Sequence, residues 1–146
     1  MFGIFKKLKG AGTEIANKSV KAENKDLMEA CVGAVTLVAY ADGELEDSEV
    51  SAIQKLLGSA KQLKVFGAEV NQEFDRLCTR FEAGYRAGRL EVMKEIKDCA
   101  GNKGEAEIIL VLAIEVAFAD GELEPDEERE LGKIAQALNL KVDDYI

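Results

Sequence analysis

The residues in this chain best suited to chemistry are carboxylates, and they come in two matched sets. The hexapeptide ADGELE stands at 41–46 and again at 119–124, an offset of 78 residues. Val38-Ala39-Tyr40 precedes the first copy and Val116-Ala117-Phe118 precedes the second. Asp42, Glu44, Glu46, Asp47 and Glu49 place five carboxylates in eight residues. Asp120, Glu122, Glu124, Asp126, Glu127 and Glu128 place six in nine. Charges this dense repel one another, and a bound cation relieves the repulsion. Calcium suits such clusters because it takes about six to eight oxygen ligands, whereas magnesium keeps several waters. The expected ligands are Asp42, Glu44, Glu46 and Glu49 with Asp120, Glu122, Glu124 and Glu127, holding Ca2+ or another divalent cation weakly. The spacing is not that of an EF-hand, because glycine directly follows the first aspartate. The same residues also read as a solvated acidic face that caps two helices and keeps the protein soluble.

Helix construction accounts for part of each turn. Gly43 and Gly121 can stop a preceding helix in the left-handed conformation. Leu45 and Leu123 sit where a hydrophobic staple would anchor the next helix, and Glu46 and Glu124 sit at its cap. Glu49 and Glu127 follow three residues later, as in a capping box. Pro125 suits a first helical position. Glutamate is a poor cap compared with Ser, Thr, Asp or Asn, so capping leaves the choice of glutamate unexplained.

The elements that position these turns are helical. Leu27, Cys31, Ala34, Val35 and Val38 recur at spacings of three and four from Asp26 to Asp42, and the opposite face is apolar too, which predicts a deeply buried helix. Further helices are expected over Asp47–Ala60 (Val50, Ile53, Leu56 and Leu57 inward) and Ala68–Phe81 (Val70, Phe74, Leu77, Cys78 and Phe81). The fourth is expected over Tyr85–Cys99, with Leu90, Met93 and Ile96 inward. After the turn AGNKGE, the pattern returns as an apolar helix over Glu105–Ala119 and an amphipathic one over Pro125–Leu138, with a last turn at Val142–Ile146. Thr13–Asn24 reads as a further, more polar helix or linker. No alternating strand pattern occurs. The fold class is therefore all-α, a single compact bundle. A helix–acidic turn–helix unit occurs at about 27–60 and again at about 105–138. The two most apolar helices are expected to pack at the centre, in a pseudo-two-fold arrangement that would pair the acidic turns.

The chain has 146 residues and a net charge of −9, unevenly spread. Residues 1–25 carry +4 and the remainder −13. This divides a basic N-terminal arm from a helical domain at 26–146. In the arm, Phe2, Ile4, Phe5 and Leu8 interleave with Lys6, Lys7 and Lys9, a pattern that suits an anionic membrane surface or a partner. The acidic body argues against nucleic acid. No apolar run approaches the ~20 residues of a spanning helix, since Ile108–Ile114 stops at Glu115. The start lacks the long apolar core of a signal peptide. A cytoplasmic protein, at most peripheral at the membrane, is expected.

Catalysis is not expected. Acid–base carboxylates need a cleft and shifted pKa values, and the chain has no histidine, no nucleophile elbow and no phosphate loop. Cys31, Cys78 and Cys99 form no CxxC pair, so a zinc site is not expected. Cys31 lies within an apolar run and reads as core. Cys99, flanked by Lys97 and Lys103, is the best candidate for a reactive thiol.

VAYADGELEDSEV and VAFADGELEPDEERELGKIAQALNL resemble the two signature turns of the tellurite-resistance TerB family. KQLKVFGAEVNQEFDRLC is similar to the segment after the first turn in that family, and MFGIFKKLKGAG to its openings. The resemblance covers about residues 1–144. It implies an all-helical fold of about seven helices and a role in bacterial tellurite resistance and stress responses. It also implies work beside other Ter proteins, with inner-membrane association through the integral protein TerC, and no settled reaction. Metal binding proposed for the family would fall on Asp42, Glu46, Glu49, Asp120, Glu124 and Glu127. Relatives often carry Ser, Thr or Asp at the positions of Glu46 and Glu124, so the ligand set here can differ. Together these readings point to a non-catalytic adaptor. The alternatives are direct thiol-based detoxification of tellurite and a metal-free interaction scaffold.

Overall fold

The computed structural model describes residues 24–119 and 121–146. Residues 1–23 of the basic arm, with them the helix expected over Thr13–Asn24 (Asn24 apart), and Asp120 lie outside the described residues. Among the described residues there are six α-helices and no strand, as expected for an all-α bundle. They are α1 (24–39), α2 (Asp47–Ser59), α3 (Ala68–Ala83), α4 (Tyr85–Asp98), α5 (Lys103–Ala117) and α6 (Pro125–Ala137). Two 3-10 segments, Lys61–Phe66 and Val142–Asp144, complete the chain. The first turns KQLKVF into a connector that buries Leu63 and Phe66. The second is the last turn expected near the C-terminus.

Local chemistry sets the helix ends. α5 starts two residues earlier than its apolar pattern indicates, because the Asn102 side chain accepts from the Glu105 N–H at 3.1 Å and so caps the helix. α6 ends in a Schellman motif. The Leu140 N–H donates to Ala135 C=O and the Asn139 N–H to Gln136 C=O, with Asn139 at φ 59°.

α1 is the centre of the bundle. Every residue from Ala30 to Tyr40 is buried, and Thr36 satisfies its hydroxyl by donating to Val32 C=O at 2.6 Å. Around it α3 packs on α4, α4 on α6, α5 on α6, and α2 on both α3 and α5. Phe74, Leu37, Leu57, Leu77 and Ile109 are fully buried in one core. Each such side chain contributes roughly 1.5–3 kcal/mol relative to exposure. α5 does not share the all-round burial of α1. Val111 is 38% exposed and Glu115 faces outward.

In α4 the inward stripe differs from the expected one. Leu90 is 59% exposed and Met93 half-buried, while Gly88, Val92 and Ile96 point inward. Spacings of three and four fit either stripe. The choice is made by close approach: Gly88 meets the Phe81 ring, and Val92 lies against Gly33 of α1. In α2, Ile53 and Leu57 are buried, whereas Val50 and Leu56 are half-buried.

Candidate functional site

The two acidic turns have the same local construction. The Ala41 N–H donates to Val38 C=O (3.1 Å) and the Ala119 N–H to Val116 C=O (3.2 Å). The Gly43 N–H donates to Tyr40 C=O and the Gly121 N–H to Phe118 C=O, both at 2.9 Å. Gly43 and Gly121 take φ 89° and 91°, a region that disfavours any side chain. Glu46 and Glu124 stand at the N-cap positions of the following helices with nearly identical extended backbones, and the capping box is closed in the second unit, by Glu124 and Glu127. Leu45 and Leu123, at the staple positions, pack against the core. Glu127 reaches back to accept from the Glu124 N–H at 3.2 Å, and Asp42 accepts from the Glu44 N–H at 3.1 Å.

Both turns open on one cavity of about 430 Å³. Its wall is apolar, from Val38, Ala39, Ala52, Ile53, Leu56 and Val116. Its rim carries Asp42 and Glu49 from the first unit, and Glu115, Glu124 and Glu127 from the second. Four of the eight ligands expected from sequence, Asp42, Glu49, Glu124 and Glu127, are therefore brought to one opening. Glu44, Glu46 and Glu122 do not line it; Glu44, Glu46 and Glu122 are exposed on the turns. Asp120 lies outside the described residues, as do Phe2, Phe5, Lys6, Lys7 and Lys9. Among the described residues, no three or more carboxylate or thiol side chains are close enough together to hold a metal ion. An apolar wall under an acidic rim suits a ligand with an apolar body and a positive charge.

A second group of carboxylates escaped the sequence reading. Glu29 on α1, Glu73 on α3, and Glu91 and Glu95 on α4 act on one another. Arg76 binds Glu73 with two nitrogens (3.0 and 2.7 Å) and Glu91 with one (3.1 Å), and Arg80 binds Glu91 at 3.1 Å. Arg76 is thereby committed elsewhere. Glu95 Oε2 is sealed from solvent with no hydrogen-bond partner among the described residues. Burial, followed by repulsion from Glu29, Glu73 and Glu91, pushes the Glu95 carboxyl up to about 7. The one signal in the sequence is the like-charged i,i+4 pair Glu91 and Glu95 beside the Val92–Ile96 stripe. Its meaning depends on what α1 and α3 bring opposite. Glu130, buried on α6, was also missed, and Arg89 of α4 holds it at 3.2 and 3.3 Å.

The thiols run against the expected reactivity. Cys31 is fully buried, as expected, and burial pushes its thiol up. Cys78 is half-buried and also raised, mainly by burial. Cys99 is buried, with its thiol against Asp26 C=O at 3.9 Å. Burial, then Glu105, Asp26, Asp98 and Glu95, pushes it up to about 11, so the flanking lysines do not activate it.

No described helix is long and apolar enough to cross a membrane. No solved structure matches this chain. The tellurium resistance protein TerB of an Alcaligenes species is 30% identical to it over 116 residues, which covers 76% of this chain and 95% of that protein. The family described as tellurite resistance protein TerB has a model that matches residues 28–146, both acidic turns included. On these two matches, the chain belongs to the tellurite resistance protein TerB family.

Proposed function

We propose that this protein is a non-catalytic adaptor in tellurite resistance and stress response, and that the acid-rimmed cavity is its binding site. The observation that carries the reading is the convergence of both repeated turns on one cavity. The site would take a basic partner surface with apolar anchors, or a weakly bound divalent cation such as calcium. The partners would be other Ter proteins, the membrane protein TerC above all. The basic arm, through Phe2, Phe5, Lys6, Lys7 and Lys9, would meet that partner or the inner-membrane surface from the cytoplasmic side. Raised pKa values at all three thiols weigh against direct detoxification by thiol chemistry.

The test is a calorimetric titration of calcium into the metal-stripped protein, with magnesium as the control. The comparison is a variant with Asp42→Asn and Glu124→Gln, two exposed carboxylates that line the cavity, one from each unit. Saturable heat that disappears in the variant supports a cation site. A flat titration, at protein concentrations that detect millimolar binding, removes the cation and leaves the rim as a docking face for a basic protein.

A further inference from the structure

The chain carries a segment whose chemistry complements the cavity. We propose that residues 2–9, FGIFKKLK, dock in cis at the acid-rimmed cavity, placing phenylalanine rings on its apolar wall and lysines on its rim. This rests on the reading of the cavity as a site for a basic partner, and it names the partner as the protein's own arm.

Three observations support it. The first is complementarity. The segment interleaves Phe2, Ile4, Phe5 and Leu8 with Lys6, Lys7 and Lys9. The cavity offers an apolar wall under the carboxylates of Asp42, Glu49, Glu115, Glu124 and Glu127. The +4 and −13 charge split favours encounter of the two. The second is size. A volume of about 430 Å³ admits a few side chains rather than a whole helix, which suits anchoring by Phe2 and Phe5. The third is reach. α1 begins by residue 24 and meets the cavity at Val38 and Ala39, a distance of about 22 Å along its axis at ~1.5 Å per residue. Residues 10–23 span up to about 46 Å when extended. Tethering at this length gives an effective concentration on the order of millimolar, so even a weak contact is well populated.

The experiment uses the full chain, isotopically labelled, at low salt. Nuclear Overhauser contacts are sought between the Phe2 and Phe5 rings and the methyls of Val38, Ile53, Leu56 and Val116. They are expected in the parent protein, to weaken with added salt, and to vanish in the triple variant Lys6→Glu, Lys7→Glu, Lys9→Glu. A synthetic peptide of residues 1–10 is then titrated into both proteins. It is expected to bind the triple variant at least about threefold more tightly than the parent, because the parent's own arm competes. Absence of ring-to-methyl contacts, with cavity methyl shifts unchanged in the triple variant, overturns the proposal. Contacts that appear only between differently labelled copies overturn docking in cis and assign the cavity to a second molecule. Peptide binding that is equal in both proteins, without arm contacts, sinks this inference and spares the adaptor reading. Loss of peptide binding in both sinks the two together.

Discussion

Val92 and Gly33 set how closely α4 lies on α1: a Cβ built on Gly33 would stand 2.7 Å from Val92 Cγ1. Both residues are buried in the core, so the valine cannot swing aside into solvent. The approach also explains why α4 presents Val92 inward and leaves Leu90 in water.

Gly33→Ala should therefore destabilise the protein despite the better helix propensity of alanine. Overpacking costs about 1–3 kcal/mol, and the propensity gain offsets up to about 1 kcal/mol of it. Val92→Ala alone loses buried methyls and is also destabilising. In the double variant the new methyl occupies the vacated space. Its loss should be clearly smaller than the sum of the single losses, measured by urea denaturation. Simple additivity would mean that the two helices do not meet at this pair.

Glu95 makes stability depend on pH in a stated direction. Its carboxyl is pushed up from the usual 4.5 to about 7 by burial and by Glu29, Glu73 and Glu91, against the weaker opposing pull of Arg76. The folded chain thus holds this proton more tightly than the unfolded chain. The contribution is complete below about pH 4.5 and is lost as pH rises through about 7. Glu95→Gln imitates the protonated form at every pH. The stability difference between variant and parent should grow in favour of the variant from pH 5 to pH 8. Glu95 is only partly buried as a residue, and solvent screening brings the expected gain to about 1 kcal/mol. Comparing the two proteins at each pH cancels the other titrating groups. A difference that stays constant across this range would remove Glu95 as its source.

The cysteines should be slow toward thiol reagents. At pH 7.5 the native protein is expected to react with Ellman's reagent far more slowly than free cysteine, with half-buried Cys78 leading. All three should react promptly in denaturant. Reaction of native Cys99 at the free-thiol rate would restore the thiol-based alternative, since a nucleophilic thiol must ionise near neutral pH.

The repeated turns were legible in the sequence because their construction is local. Gly43 and Gly121, the caps Glu46 and Glu124, the staples Leu45 and Leu123, and Pro125 all act within a few residues of themselves. So do the periodicities that marked α1, α2, α3, α5 and α6. The helical connector Lys61–Phe66 and the early start of α5 were less plain, since short 3-10 turns and caps carry little periodic signal.

The tertiary structure decided what depends on residues far apart in the chain meeting. Glu49 and Glu127 have the same place in their own units, but packing alone puts both on one cavity. Cys99 stands between lysines in sequence, yet burial beside Asp26 and Glu105 decides its chemistry. Glu95 is one of three acids along α4 until α1 and α3 bring Glu29 and Glu73 against it. Local sequence thus determined where helices begin, turn and end. Only the bundle, through desolvation and close packing between distant segments, determined which faces are buried and which carboxylates share a site.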